Sequence, residues 1–310
     1  MRVLTQRELN RATLARQLLL ERKKVGVVAA LERVAGLQAQ YAPSPFVGLW
    51  TRTDGFRRET LERSLLAHRV VRAVLMRGTI HLVSRADYFT FLEAVGDPPW
   101  LGAWSPDLGE RAVEAVGAFG RDPRTRAEIA AFVERPLEDR EWYALRTRAR
   151  LVHAPESGFW KERGRTRYLT MPHEPPDVEE ARVTLVRRYL AAFGPATRAD
   201  IAEWSGLRMR DLEPALANLR PRFRDERGRD LYDVPRAPLP PADAPAPVRF
   251  LPRFDNLLLA HKDRTRVIAD DHRGLVIEGG WIKSTFLVDG FVAGVWEVES
   301  GRVLLEPFAP

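Results

Sequence analysis

Phe119-Gly120-Arg121-Asp122-Pro123-Arg124-Thr125-Arg126-Ala127-Glu128-Ile129-Ala130 and Phe193-Gly194-Pro195-Ala196-Thr197-Arg198-Ala199-Asp200-Ile201-Ala202 are two copies of one passage, with Thr125 and Thr197 lying 72 residues apart. In each copy a threonine is followed three positions later by an acid, the signature of a capping box that opens a helix. The second copy continues with Ile201 and Trp204 on one face, a break at Ser205-Gly206, and a restored helical period through Leu212, Ala215, Leu216 and Leu219. Each helical part then runs into a basic stretch of strand character. One is Phe159–Leu169, centred on Arg163-Gly164-Arg165; the other is Phe223–Tyr232, centred on Arg227-Gly228-Arg229. A glycine between two arginines supplies the positive φ of a tight hairpin turn. Helices followed by a basic hairpin predict a winged helix, here twice in tandem.

Working outward, the first 95 residues read as a third, diverged unit. Thr5 and Glu8 form another capping box, and helices are predicted through Leu9–Leu19, Val27–Leu37 and Leu61–Leu75, with a strand at Gly78–Val83. Residues 235–247 hold six prolines, an extended linker. Beyond it, short apolar runs separated by Gly and Asp predict a small all-β module, barrel-like or a sheet. The expected fold is therefore α+β. It comprises a first winged helix at 1–105, a second at 106–177, a third at 178–234, the linker at 235–247 and a β-rich module at 248–310.

Composition narrows the chemistry. A chain of 310 residues, 45% hydrophobic and 29% charged, has room for two or three folding units and is too apolar for disorder. Cysteine is absent, which removes disulfides, thiol catalysis and cysteine-ligated metals. The six histidines show neither i, i+4 pairing nor clustering with acids, so no metal or other cofactor is expected. No apolar run approaches the roughly 18 residues of a membrane span, and the N-terminus lacks a signal-peptide pattern. A cytoplasmic, nucleoid-associated monomer is the expectation. Forty-nine basic residues against 42 acidic ones give a net charge of +7. Arginine dominates the basic set, and its guanidinium fork matches phosphate oxygens; genomic codon bias also inflates arginine. There is no phosphate-cradling glycine loop, dinucleotide fingerprint or nucleophile elbow.

Gln38-Ala39-Gln40 stands before the proline-broken, aromatic turn Tyr41–Trp50. By itself such a pair is usually solvated or cap-forming. In company with Val71–Val83, with Trp204-Ser205-Gly206-Leu207, and with Leu251–Ile268, it resembles the AlkZ-like bacterial winged-helix DNA glycosylases. These stretches span nearly the whole chain in family order. The resemblance implies three winged helices and a β module. It further implies monofunctional hydrolysis of alkylated purines in double-stranded DNA, with unhooking of interstrand crosslinks left open. The family signature Gln-Φ-Gln, Φ being apolar, falls on Gln38 and Gln40 as catalytic residues, with Ala39 as a small Φ pointing inward. A glycosidic bond breaks through an oxocarbenium-like transition state. A neutral amide can hold a water near the anomeric carbon and stabilise positive charge on the sugar. That is enough only for a base that departs easily, so cationic, N7-alkylguanine-type lesions are expected. Without a lysine near the motif, no Schiff base and no strand cleavage are expected. Candidate DNA contacts are Arg77 and His81; His261, Lys262 and Arg264 at an exposed hairpin tip; and the wing residues Lys161, Arg163, Arg165, Arg227 and Arg229. Asp255 and Asn256 are read as a turn cap. The alternative is a non-enzymatic winged-helix protein, a regulator or a lesion binder.

Overall fold

Three three-stranded sheets, the first two of the same strand order, organise the computed structural model, which describes residues 1–97, 110–161, 164–171 and 174–309. The first is built from α2 (Val27–Arg33), β2 (Leu37–Gln38), α3 (Ser44–Arg52), α4 (Arg58–Leu66), β3 (Val70–Val74) and β4 (Ile80–Ser84), in the order β2-β4-β3. The β-branched run Val70-Val71 is strand rather than the continuation of a helix to Leu75 that sequence periodicity predicts. Helix α5 (Arg85–Val95) follows, capped by the Ser84 hydroxyl, which accepts from the Asp87 amide at 3.1 Å.

The second sheet comes from α6 (Glu110–Phe119), β5 (Arg124–Thr125), α7 (Arg126–Phe132), α8 (Asp139–Arg148), β6 (Leu151–His153) and β7 (Arg167–Thr170), ordered β5-β7-β6. The third follows α9 (Val178–Phe193), α10 (Arg198–Ser205) and α11 (Met209–Leu216). Its strands are β8 (Phe223–Asp225) and β9 (Asp230–Leu231), with an antiparallel bridge from Ala196 to Tyr232 on the far side of β9. Both echoed threonines cap as read: Thr125 with Glu128 and Thr197 with Asp200 form full capping boxes. Gly164 and Gly228 take the positive φ that the Arg-Gly-Arg turns require.

The N-terminal segment does not join the first sheet. Strand β1 (Arg2–Leu4) pairs in parallel with β8. Helix α1 (Gln6–Arg16) lies against α9 and reaches the C-terminal region. There Arg16 grips Asp233 through two hydrogen bonds of 2.7 and 2.9 Å, and Arg11 reaches Asp289. These contacts tie the N-terminal segment to residues more than 200 positions away, through long-range ion pairs that sequence order does not reveal.

The C-terminal region holds β10 (Arg249–Leu251), a 3₁₀ turn at Asn256–Leu258, α12 (Asp270–Val276) and the hairpin of β11 (Ile277–Glu278) with β12 (Trp281–Ile282). It ends in β13 (Thr285–Val288), β14 (Phe291–Glu299) and β15 (Arg302–Pro307). The sheet order β10-β13-β14-β15 is open, so the barrel is not formed. Of the short apolar runs, Thr265–Ile268 is turn, and in Leu275–Ile277 only Ile277 is strand, because Asp270 and Asp271 favour the first turn of α12, which takes Leu275 and Val276. The Asp255 carboxylate caps the 3₁₀ turn as read, accepting from the Leu257 amide at 3.0 Å. Among the described residues no helix is long and apolar enough to cross a membrane.

Candidate catalytic site

Ala35 and Gly36, with φ of 57° and 80°, turn the chain out of α2 and into β2. A Cβ on Gly36 would stand 2.6 Å from Val83 Cγ1 and 3.2 Å from the Leu82 carbonyl oxygen, so glycine permits this close approach to β4. Gln38 thus sits on a strand, where periodicity alone predicts a helix end. Its partner across the antiparallel pair is His81, whose own partner on the other side is Ala73. Residues directly opposite share a face of the sheet, and Gln40, two positions on, shares it too. Ala39 points the other way and is fully buried, the Arg72 guanidinium donating to its carbonyl at 3.1 Å.

The two amides are anchored differently. Gln40 is exposed, and its Oε1 accepts from the Ile80 amide at 2.7 Å. Gln38 is 5% exposed, and its Oε1 accepts from Arg77 at 3.3 Å. Each oxygen keeps a second lone pair. Arg77 occupies the tight turn between β3 and β4 in the left-handed region, with φ of 56°. Its other guanidinium nitrogen donates to the Trp204 carbonyl of α10, so this side chain ties the third helical group to the glutamine strand. Gly206 allows that approach, since a Cβ there would meet the Arg77 backbone nitrogen at 3.0 Å. Burial lowers the Arg77 guanidinium to about 10, Glu203 opposing this and Arg264 adding to it; the group stays charged at neutral pH.

His81 is fully buried. Its Nδ1 lies 3.0 Å from the Thr79 carbonyl oxygen, which fixes that nitrogen as the protonated one. Burial first, then the Arg77 charge, push the ring down to about 3, so it is neutral. Among the described residues no carboxylate hydrogen-bonds Gln38, Gln40 or His81. At the open side, Arg253 lies over the ring of Tyr41, 5.4 Å from its centroid. Sequence reasoning missed this pair, because nothing local links residues so far apart.

The other sequence-predicted residues divide into groups. The Arg264 charge acts on Arg77, helping to lower its guanidinium. His261 is not at an exposed hairpin tip. It is buried in a loop, with Nε2 at 3.0 Å from the Phe193 carbonyl, because Tyr189 and Phe193 enclose it. The His261 and His81 rings are both buried in this structure. Lys262, Arg227 and Arg229 do come together, with Arg198 and Thr197, around a cleft of about 460 Å³. There Arg227 and Arg229 both bond Asp263, at 3.0 and 2.8 Å. Burial works against the Asp263 carboxylate, but the Thr265 hydroxyl and amide and these two arginines hold it down at about 2. Lys161 and Arg165 are exposed near the second sheet; Arg163 lies outside the described residues. Five further arginines, Arg11, Arg16, Arg52, Arg72 and Arg266, are buried, so part of the arginine content is internal scaffolding.

A mixed α+β chain with a paired-glutamine strand and a clustered basic face belongs to a recognised class. Residues 31–310 match the model of the DNA glycosylase AlkZ-like family, so the chain is a member of that family and a DNA glycosylase. The interstrand DNA cross-link repair glycosylase of Streptomyces sahachiroi is 26% identical to it over 335 residues, covering 94% of this chain and 88% of that protein. The structure of Streptomyces sahachiroi DNA glycosylase AlkZ matches with a TM-score of 0.82 at 23% identity, over 99% of this chain and 91% of the other.

Proposed function

We propose that the protein is a monofunctional glycosylase for cationic alkylated purines of the N7-alkylguanine type, acting as a monomer on double-stranded DNA and unhooking interstrand crosslinks. The observation that carries this reading is the neutrality of the site. Two amides and an uncharged, buried imidazole share one face of the first sheet, and among the described residues no carboxylic acid hydrogen-bonds them to protonate a leaving base. A purine already cationic through ring alkylation needs no such acid, since its departure neutralises it. In this reading Gln38 and Gln40 hold water against C1′ with their free lone pairs and orient their dipoles toward the developing sugar cation. The charged Arg77 fixes Gln38 from behind.

The strand order shared by the first two sheets, with the Ala196–Tyr232 bridge beside β9 in the third, supports three winged-helix units, the first beginning at α2, with 248–310 as an open-sheet module. Lys262, Arg227, Arg229 and Arg198, gathered around one cleft, and the wing residues Lys161, Arg163 and Arg165 supply phosphate contacts that give affinity and salt dependence without lesion choice. The crosslink reading is supported by the name of the Streptomyces sahachiroi relative.

The test uses duplex DNA carrying one N7-methylguanine, incubated with protein, treated with hot alkali and resolved on a denaturing gel. Strand cleavage appears only after alkali and disappears in Gln38→Ala/Gln40→Ala. A duplex joined through guanine N7 atoms is expected to separate under the same protein. Salt-sensitive binding to both substrates without any cleavage would refute the reading.

A further inference from the structure

The turn between β8 and β9 carries more negative charge than its arginines suggest. Arg224, Arg227 and Arg229 bond the carboxylates of Asp230, Asp263 and Asp225 respectively, and Arg229 bonds Asp263 as well. Glu226, which accepts from the Gln6 amide, adds a fourth acid. Asp225 and Asp263 differ in kind. Asp225 belongs to the turn itself: it accepts from the Arg227 and Arg229 amides at 3.0 and 2.8 Å, and its side chain is 6% exposed. Asp263 comes from a different segment, keeps 19% of its side-chain surface and forms part of the cleft wall with Lys262 and Arg198. Its Oδ1 accepts from the Thr265 amide at 3.2 Å and hydroxyl at 2.7 Å, which fixes the carboxylate in place, while Oδ2 receives both guanidinium groups. Two guanidinium groups converging on one oxygen suit a phosphate oxygen equally well, since the fork matches either anion. The Arg227 and Arg229 side chains are 65% and 41% exposed, so a duplex can reach the groups that Asp263 holds.

We infer that Asp263 sets the affinity for DNA by occupying, in the free protein, the position of a backbone phosphate oxygen: a duplex that settles in the cleft takes Arg227 and Arg229 from it. This inference rests on the proposed phosphate contacts of the cleft. A guanidinium that stands free neutralises a phosphate outright. One that must first leave a fixed carboxylate, and then bring the phosphate close to that like charge, contributes less. Asp263 therefore lowers the sequence-independent part of binding, which holds undamaged duplex as firmly as damaged duplex. A protein searching for rare lesions gains from that, because weak binding to intact DNA frees it to move on.

The test uses Asp263→Asn, which removes the charge but keeps an oxygen for the Thr265 amide and hydroxyl. Kd for an undamaged duplex is measured over a salt series for the wild type, for Asp263→Asn, for Arg227→Gln/Arg229→Gln and for the triple variant. The expected result is about fivefold tighter binding by Asp263→Asn, the effect of removing one like charge beside a phosphate in a partly solvated cleft. The slope of log Kd against log salt should steepen by roughly one, as for one further phosphate contact. In the triple variant most of that gain should vanish, because it passes through the two guanidinium groups. Asp263→Ser, checked by its melting curve, serves in place of Asp263→Asn should the latter not fold. Unchanged or weaker binding by the folded charge-removed variant, while loss of the arginines weakens binding, would overturn this inference alone and leave Asp263 a structural brace. Wild-type binding by the arginine variant would overturn the phosphate reading beneath it.

Discussion

At the residue scale, the site depends on two glycines as much as on the glutamines. Gly36 lets β2 close onto β4, and Gly206, with φ of 78°, lets the Arg77 turn approach α10. A side chain at Gly206 would take the left-handed region at a cost of roughly 1–2 kcal/mol and would also press on the Arg77 backbone. Gly206→Ala is therefore expected to lower the denaturant midpoint and slow excision together, by shifting Arg77 off Gln38. An unchanged midpoint and an unchanged rate would refute the coupling. The proposed site residues could be named from the sequence; their surroundings could not. Gln-Ala-Gln marks the strand only through family resemblance, and Ala35-Gly36 is the local signal that α2 ends before it. Nothing local announces that His81 lies opposite Gln38, because a pairing register is set by the whole sheet.

At the element scale, the capping boxes at Thr5, Thr125 and Thr197 made three helix starts readable. What those helices pack against was not readable. Arg52 on α3 and Asp255 beside the 3₁₀ turn, both without exposed side-chain surface, form two parallel hydrogen bonds of 2.8 Å. They fasten the first helical group to the C-terminal region, helped by Asn256 donating to the Gly36 carbonyl at 2.9 Å. Arginine in sequence suggests a surface; here the guanidinium is an internal rivet. Asp255→Ala leaves a buried charge unpaired and is expected to cost about 3–5 kcal/mol in urea unfolding. The double variant Arg52→Met/Asp255→Leu is expected to recover much of that loss. A single-variant cost under about 1 kcal/mol would mean that the pair does not hold these elements together.

At the scale of the whole molecule, three buried histidines govern the response to acid. Burial keeps His81, His153 and His261 neutral, with His81 and His261 near 3 and His153 displaced in the same direction. The unfolded chain takes up protons at these rings below about 6.5, the native state only at much lower pH. Stability is thus present above that value and declines as pH falls, by about 1.4 kcal/mol per pH unit for each ring. Asp87 works against this: burial raises its carboxyl to about 6, so it gains stability as pH falls from there toward 3.8. The balance favours the histidines, and thermal melts should show a fall in Tm between pH 6 and pH 5. An unchanged Tm across that window would show that the rings are not held neutral.

The pairing of β1 with β8 bears on how the chain is made. Gln6, just past the first strand, donates its amide to Glu226, 220 residues further on, at 2.8 Å. A ribosome adding roughly 5–20 residues per second leaves that N-terminal segment waiting about 10–40 s for its mate. A segment made early is among the last to find its place. An N-terminal fusion partner would therefore stand at the seam where assembly finishes.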